Sequence, residues 1–208
     1  MARERYVYIV DDDEAVRDSL CVLLESRGYS VQNFASAPEF LAAAAALPAG
    51  SLIVDIRMPE MDGLELQQRL IERKLDFPLV VITGHGDVPM AVRAMKAGAV
   101  DFIEKPFASE AILDSLAAAF ARLTMPTGQD QAAGEAASKL NLLSPREREV
   151  LEGLLAGLPN KSIAYDLGIS PRTVEIHRAR VMDKMGARSL SELIRLALAA
   201  GMQPSSDR

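Results

Sequence analysis

Residues 7–13 read V-Y-I-V-D-D-D. Four residues of strand type run into three consecutive carboxylates, Asp11, Asp12 and Asp13. Like charges that close resist ionising together. Acids on the end of a buried strand are therefore either a solvated helix start or the floor of a site for something positive. The rest of the chain decides which. Strand-like runs recur at 6–10, 31–34, 52–55, 79–83 and 101–104. Helical patterns lie between them. In the first, Val16, Leu20, Leu23 and Leu24 recur at i, i+4, i+7 and i+8, and Gly28 follows as a stop. Further helices are predicted over 37–46, ended by Leu47-Pro48, and over 63–73, 88–97 and 109–123. Five such βα units predict a doubly wound parallel sheet with helices on both faces. The unbroken Val/Ile runs suit strands buried on both sides.

The 208 residues are 49% hydrophobic, enough for a core of ordinary size. The apolar stretches are strand-sized, well short of the ~20 residues of a membrane span. The start, M-A-R-E-R-Y, has no apolar core, so no secretory signal is expected. A lone Cys21 excludes an internal disulfide framework, fits a reducing, cytoplasmic compartment, and reads as a small core residue. Charge is uneven. Residues 1–123 hold 12 Lys+Arg against 19 Asp+Glu, residues 124–138 add Asp130 and Glu135, and residues 139–208 hold 11 basic against 8 acidic. An acidic first part and a basic last part point to different tasks.

The predicted domains are 1–123, a (βα)5 unit, and 139–208, an all-α unit. The segment 124–138, T-M-P-T-G-Q-D-Q-A-A-G-E-A-A-S, reads as a linker, although its Ala, Glu and Gln content also suits partial helix. After it there is no strand signal. S-P-R-E at 144–147 is a helix start, with Ser144 as N-cap, Pro145 at the first helical position and Glu147 closing a capping box. S-P-R-T at 170–173 repeats the cap and the proline. Four helices are predicted, near 145–156, 161–167, 171–185 and 190–200.

A doubly wound sheet binds its ligands at the carboxyl ends of the strands. Asp11 and Asp12 end the first strand, Asp55 the third and Thr83 the fourth, while Lys105 follows the fifth. All five converge on one mouth. Three carboxylates there call for a hard cation such as Mg²⁺. With a hydroxyl donor and a mobile ammonium they make what a phosphoryl group needs: a carboxylate nucleophile, a metal and a neutralising cation. Taken singly each residue has an ordinary alternative, and Asp13 is read as a helix N-cap. The combination carries the functional reading.

D-D (11–12), D-I-R-M-P-x-M-D-G (55–63), T-G (83–84), A-G-A (97–99) and K-P-F (105–107) resemble the receiver domain of two-component response regulators. The resemblance spans 1–123. It implies that Asp55 is the phosphoacceptor, charged by a sensor histidine kinase, and that Asp11, Asp12 and the backbone carbonyl of Arg57 join Asp55 in holding Mg²⁺. It implies that Thr83 and Lys105 contact the phosphoryl group, and that Thr83 and Phe102 form a switch that remodels residues 88–104. It further implies homodimerisation on that surface, near Val92 and Lys96, and a protein that assists its own phosphotransfer without being an enzyme.

The segment 160–177 has helix-turn-helix logic. Ile163, Ala164 and Leu167 form an inner side, Gly168 permits the turn, and Ser170-Pro171 start a second helix. On that helix Val174, Val181 and Met185 make one buried stripe, with Arg172, Glu175, Ile176, Ala179, Arg180 and Asp183 opposite. L-S-P-R-E-x-E-V-L (143–151), N-K-x-I-A (160–164), T-V-x-x-H (173–177) and K-M (184–185) resemble the DNA-binding domain of the LuxR/NarL/FixJ class. By that resemblance Lys161, Arg172, Thr173, His177, Arg180 and Lys184 meet phosphates of double-stranded promoter DNA, while Glu175, Ile176 and Ala179 face the bases. Leu190, Leu193, Ile194 and Ala197 either pack inward or pair with a second subunit.

The two resemblances together imply a phosphorylation-controlled transcription activator acting on RNA polymerase. The string T-G-H-G-D-V-P-M-A-V-R-A-M-K-A-G-A-V-D-F-I-E-K-P-F (83–107) is most similar to the nitrogen-fixation branch of the class, which implies an oxygen-sensing, FixL-like kinase and nitrogen-fixation or microaerobic targets. Relatives with other kinases share most of this string. Two rival classes are weighed. One is a haloacid-dehalogenase-type phosphohydrolase with Asp55 as nucleophile, which would want an acid where Arg57 stands. The other is a phosphorylation-independent DNA-binding or scaffold protein, which would lack a pocket residue.

Overall fold

The computed structural model describes residues 4–84, 88–124 and 129–202, with 129–133 described by their backbone alone. The sequence-derived expectations that fall on His85–Asp87, on 125–128 of the linker and on 203–208 lie outside the described residues. The chain forms two compact units, residues 1–85 with 97–125 and residues 86–96 with 126–208.

The first unit is built on a parallel sheet of five strands: β1 (Tyr6–Val10), β2 (Ser30–Phe34), β3 (Gly50–Asp55), β4 (Leu79–Thr83) and β5 (Asp101–Glu104). Their order is β2-β1-β3-β4-β5, all parallel. The strand order reverses between β1 and β3, which places a ligand crevice beyond the carboxyl ends of those strands. β3 is buried along its whole length, as an unalternating apolar run requires.

One face of the sheet packs Val7, Ile9, Ile53, Val80 and Ile82 against Leu20 and Leu24 of α1 (Glu14–Glu25) and Ile112, Leu116 and Ala119 of α5 (Ser109–Thr124). Tyr8 points to the other face, where its ring meets Phe40 at 6.0 Å and Phe77 at 5.6 Å. Phe40 belongs to α2 (Ala37–Ala43), which packs beside α3 (Gly63–Glu72). The helix expected over 37–46 is α for its first seven residues and tightens to a 3-10 turn over Ala44–Ala46. A terminal 3-10 turn of this kind uses carbonyls that the helix end leaves open.

The second unit holds α4 (Val88–Lys96), α6 (Gln129–Leu140), α7 (Pro145–Leu155), α8 (Asn160–Leu167), α9 (Pro171–Met185) and α10 (Leu190–Ala199). Most of the segment read as linker is thus the helix α6, with Ala136 and Leu140 buried and α10 and α9 as its neighbours. Two small-residue runs mask this apolar edge in the sequence. Each helix from α7 to α10 starts where the chain changes character. Ser144, Ser170 and Ser189 cap α7, α9 and α10, each accepting from the amide three residues on. α8 ends on Gly168 at φ +63°, in the left-handed region that lets the chain turn into α9. Val150, Leu151, Leu154, Ile163, Val174, Val181, Leu193 and Ile194 form the core. Leu193, Ile194 and Ala197 are fully buried and Leu190 is half-buried, so α10 turns this side inward. Among the described residues no helix is long and apolar enough to cross a membrane.

Candidate functional site: an acid pocket and a basic helix

β1 and β3 deliver Asp11 and Asp55 side by side at the crevice. Asp11 is completely buried and Asp55 is 6% exposed, whereas Asp12 is exposed at the rim. The three carboxylates each present an oxygen within 4.8 Å of the others. Asp13, the third acid of the opening run, accepts from the Ala15 amide at 2.9 Å and caps α1. One acid of the run therefore serves the helix and two serve the pocket.

Several bonds fix this geometry. Asp11 Oδ1 accepts from the Asp13 amide at 2.9 Å, and Arg17 donates to the Asp11 carbonyl at 2.8 Å. The Arg17 bond was not foreseen, because an i, i+6 pair across a strand end has no periodic signature. The loop after Asp55 returns tightly: the Gly63 amide donates to the Ile56 carbonyl at 3.0 Å. A Cβ at Gly63 would lie 2.5 Å from the Asp55 carbonyl oxygen, so only glycine lets α3 begin there. Arg57 is exposed in this loop, beside the pocket.

Lys105 closes the site. Its amide donates to the Thr83 carbonyl at 2.7 Å, which sets it beside the end of β4. Its Nζ lies 2.7 Å from Asp11 Oδ2 and 3.5 Å from Asp55 Oδ1. The first is a hydrogen-bonded ion pair. The second is only Coulombic, and Asp55 Oδ1 is buried without a hydrogen bond. Burial pushes the Asp55 carboxyl up to about 6, against the pull of Lys105 and with the help of Asp11 and Asp12. An unsatisfied buried oxygen on a carboxylate, next to two further carboxylates, suits a hard divalent cation or an incoming phosphoryl group.

Thr83 is fully buried at the end of β4. It pairs with Glu104, and Val81 pairs with Phe102. Thr83 and Phe102 therefore share one face of the sheet on neighbouring strands, two residues apart in register. Phe102 is half-buried. Asp101 braces it, accepting from the Phe102 amide at 2.8 Å and from Ser115 Oγ at 2.5 Å. Of the two candidate dimer residues on α4, Lys96 is exposed, but Val92 is 2% exposed. Val92 falls on the same apolar stripe as Ala91 and Met95 and is core here, not free surface.

In the second unit α9 buries Val174, Val181 and Met185 and exposes Arg172, Glu175, Ile176, Ala179 and Arg180. Lys161 is exposed at the start of α8. Arg172 lies 3.4 Å from Glu175, an exposed pair of little energetic weight. Thr173 is tied to Ser170 through its amide and hydroxyl. His177 is half-buried, with Nδ1 buried and unbonded. Arg178 donates to Asn160 Oδ1 at 3.0 Å and joins α9 to α8. Lys184, expected at a phosphate, sits 2.6 Å from the buried Glu147.

An acid crevice at a 2-1-3 strand reversal is thus followed in the chain by a capped helix-turn-helix. Residues 7–117 match the response regulator receiver domain family, and residues 141–197 match the LuxR family of bacterial regulatory proteins. The chain belongs to the FixJ-like two-component response regulators. The regulator is 54% identical over 199 residues to the transcriptional regulatory protein FixJ of Rhizobium meliloti (strain 1021), covering 96% of this chain and 98% of that one. It is 42% identical over 194 residues to the response regulator protein TmoT of Ectopseudomonas mendocina, covering 93% and 88%. Among solved structures it resembles full-length FixJ from B. japonicum, with 48% identity, a TM-score of 0.58 and coverage of 97% and 100%. Membership of this family brings a histidine kinase as the receiver's partner and DNA as the ligand of the LuxR-type domain. The two matches favour a regulator over the hydrolase reading.

Proposed function

We propose that the regulator is phosphorylated on Asp55 and that phosphorylation activates transcription. The observation that carries this is the buried, unbonded Asp55 Oδ1 facing Asp11, Asp12 and Lys105. In this reading the Asp55 carboxylate attacks the phosphorus of a kinase phosphohistidine. The new O–P bond forms as the P–N bond breaks, and the histidine leaves with its electron pair. Asp11, Asp12, Asp55 and the Arg57 carbonyl would hold Mg²⁺, which neutralises charge on the phosphoryl oxygens when bound. Lys105 turns from Asp11 to pair with the phosphoryl group, and Thr83 donates to it. The Thr83 movement opens space on the face it shares with Phe102, and that differential contact supplies the switching energy. The regulator then dimerises through residues 88–104, where Lys96 stands exposed. Dimers set two LuxR-type domains on two promoter half-sites and recruit RNA polymerase.

The domains we assign are 1–123 as receiver, 124–138 as connection and 139–208 as DNA-binding domain. The likeness to FixJ supports a FixL-like kinase and nitrogen-fixation or microaerobic target genes. The protein assists its own phosphotransfer and dephosphorylation and turns over no other substrate. Incubation with acetyl phosphate and Mg²⁺, read by intact mass, tests the chemistry. Gain of one phosphoryl group by wild type, lost with Asp55→Asn or with EDTA, is expected. Equal labelling of Asp55→Asn would place the phosphoacceptor elsewhere.

A further inference from the structure

The carboxylate of Glu147 does two jobs in the DNA-binding unit. Glu147 is the third residue of α7 and is 4% exposed. Its Oε2 accepts from the Ser144 amide at 2.8 Å, which closes the capping box. The same oxygen accepts from Lys184 Nζ at 2.6 Å. Lys184 Nζ also donates to the Leu142 carbonyl at 3.1 Å. One ammonium on the last turn of α9 therefore gathers the first turn of α7 and the turn before it. A cation there also complements the carboxyl end of α9.

We propose that Glu147 and Lys184 form a clamp that positions α9 for DNA, and that Lys184 is a positioning residue and not a phosphate contact. This rests on the LuxR-type unit binding DNA. A lysine has three donors, and two are spent inside the protein. Swinging Lys184 to a phosphate would leave a buried carboxylate with one backbone donor, and stranding a buried charge costs more than an exposed phosphate contact returns. Lys184 and the capping bonds of Ser144 hold the Glu147 carboxyl well below the usual glutamate range, as a satisfied buried anion should be. Arg180 stands one helical turn before Lys184 on α9 and is exposed. Fixing the end of α9 fixes where Arg180 and the residues around it reach.

The test uses the full chain, activated with acetyl phosphate and Mg²⁺, and a labelled duplex of random sequence titrated across a range of KCl. A lost phosphate contact lowers the slope of log affinity against log salt by about 0.9, and Glu147→Gln removes no cation, so any loss of affinity or slope it causes comes through the placement of α9. Lys184→Met and Glu147→Gln are each expected to weaken binding about tenfold with the same change of slope, and the double variant is expected to be no weaker than either. Lys184→Arg is expected to bind as wild type does. A slope lowered by Lys184→Met, with Glu147→Gln binding as wild type, would overturn the proposal. An NMR titration of the Glu147 carboxyl, with far-ultraviolet circular dichroism to confirm folding, gives a readout independent of DNA. The carboxyl is expected to rise toward the ordinary glutamate value in Lys184→Met, and a titration unchanged from wild type would remove the clamp itself. Failure of wild type to bind the duplex at any salt, with that titration as expected, would overturn the positioning role by removing DNA binding and leave the ion pair standing.

Discussion

Asp55 is a carboxylate held where it is uncomfortable, and that discomfort has measurable consequences. Its folded-state pKa, about 6, lies above the ordinary 3.8, so the native state binds more protons than the unfolded chain between those values. Stability therefore falls as pH rises from about 3.8 through about 6. Asp55→Asn removes the charge and keeps the shape. Without divalent cations, its Tm is expected to exceed that of wild type by several degrees at pH 8 and to converge with it near pH 4. Parallel Tm curves across that range would mean that Asp55 is solvated. Mg²⁺ relieves the same discomfort, so it is expected to raise the wild-type Tm at pH 8 by mass action and to leave Asp55→Asn nearly unmoved. Gly63 is the other critical residue, because a methyl group there would press on the Asp55 carbonyl at 2.5 Å. Gly63→Ala is expected to cost about 1–3 kcal/mol in urea denaturation and to slow acetyl phosphate labelling sharply. A variant as stable and as reactive as wild type would show that the loop is softer than its geometry implies.

At the scale of elements, the start of α7 shows how local signals and tertiary contacts divide the work. The Ser144 cap and the Glu147 capping box were legible from S-P-R-E, because both lie within one turn. The bond from Lys184 was not, because it joins residues 37 apart in sequence. Ser144→Ala is expected to cost about 1 kcal/mol, and Glu147→Gln about 2 kcal/mol because it also removes a charged bond. The Glu147 carboxyl is lowered from the ordinary 4.5 to about 2. Its contribution is therefore full above pH 4.5 and is lost as pH falls toward about 2, so wild type and Glu147→Gln are expected to converge in acid. The same division explains the rest. The strands of the sheet and the convergence of Asp11, Asp55 and Lys105 followed from short motifs, because a parallel sheet puts all its carboxyl ends at one edge. The helix α6 was legible only in part, from its Ala, Glu and Gln content, because its stabilising contacts with α10 and α9 come from distant parts of the chain. Val92 was assigned to a surface because family resemblance says which face is used for pairing, and not which side chains that face buries in a given state.

Over the whole molecule, the sequence separates an acidic receiver part from a basic DNA-binding part. The last part carries 11 basic against 8 acidic residues, a small excess for grasping a polyanion. A single copy is therefore expected to bind weakly, and two copies on one promoter to bind steeply with protein concentration. The account's central claim is that a phosphoryl group on Asp55 controls that pairing. It is tested most directly by measuring oligomeric mass and affinity for promoter DNA with and without acetyl phosphate and Mg²⁺, for wild type and Asp55→Asn. The account predicts that phosphorylated wild type dimerises and binds DNA more tightly, and that Asp55→Asn does neither. Equal mass and equal affinity in all four samples would contradict it.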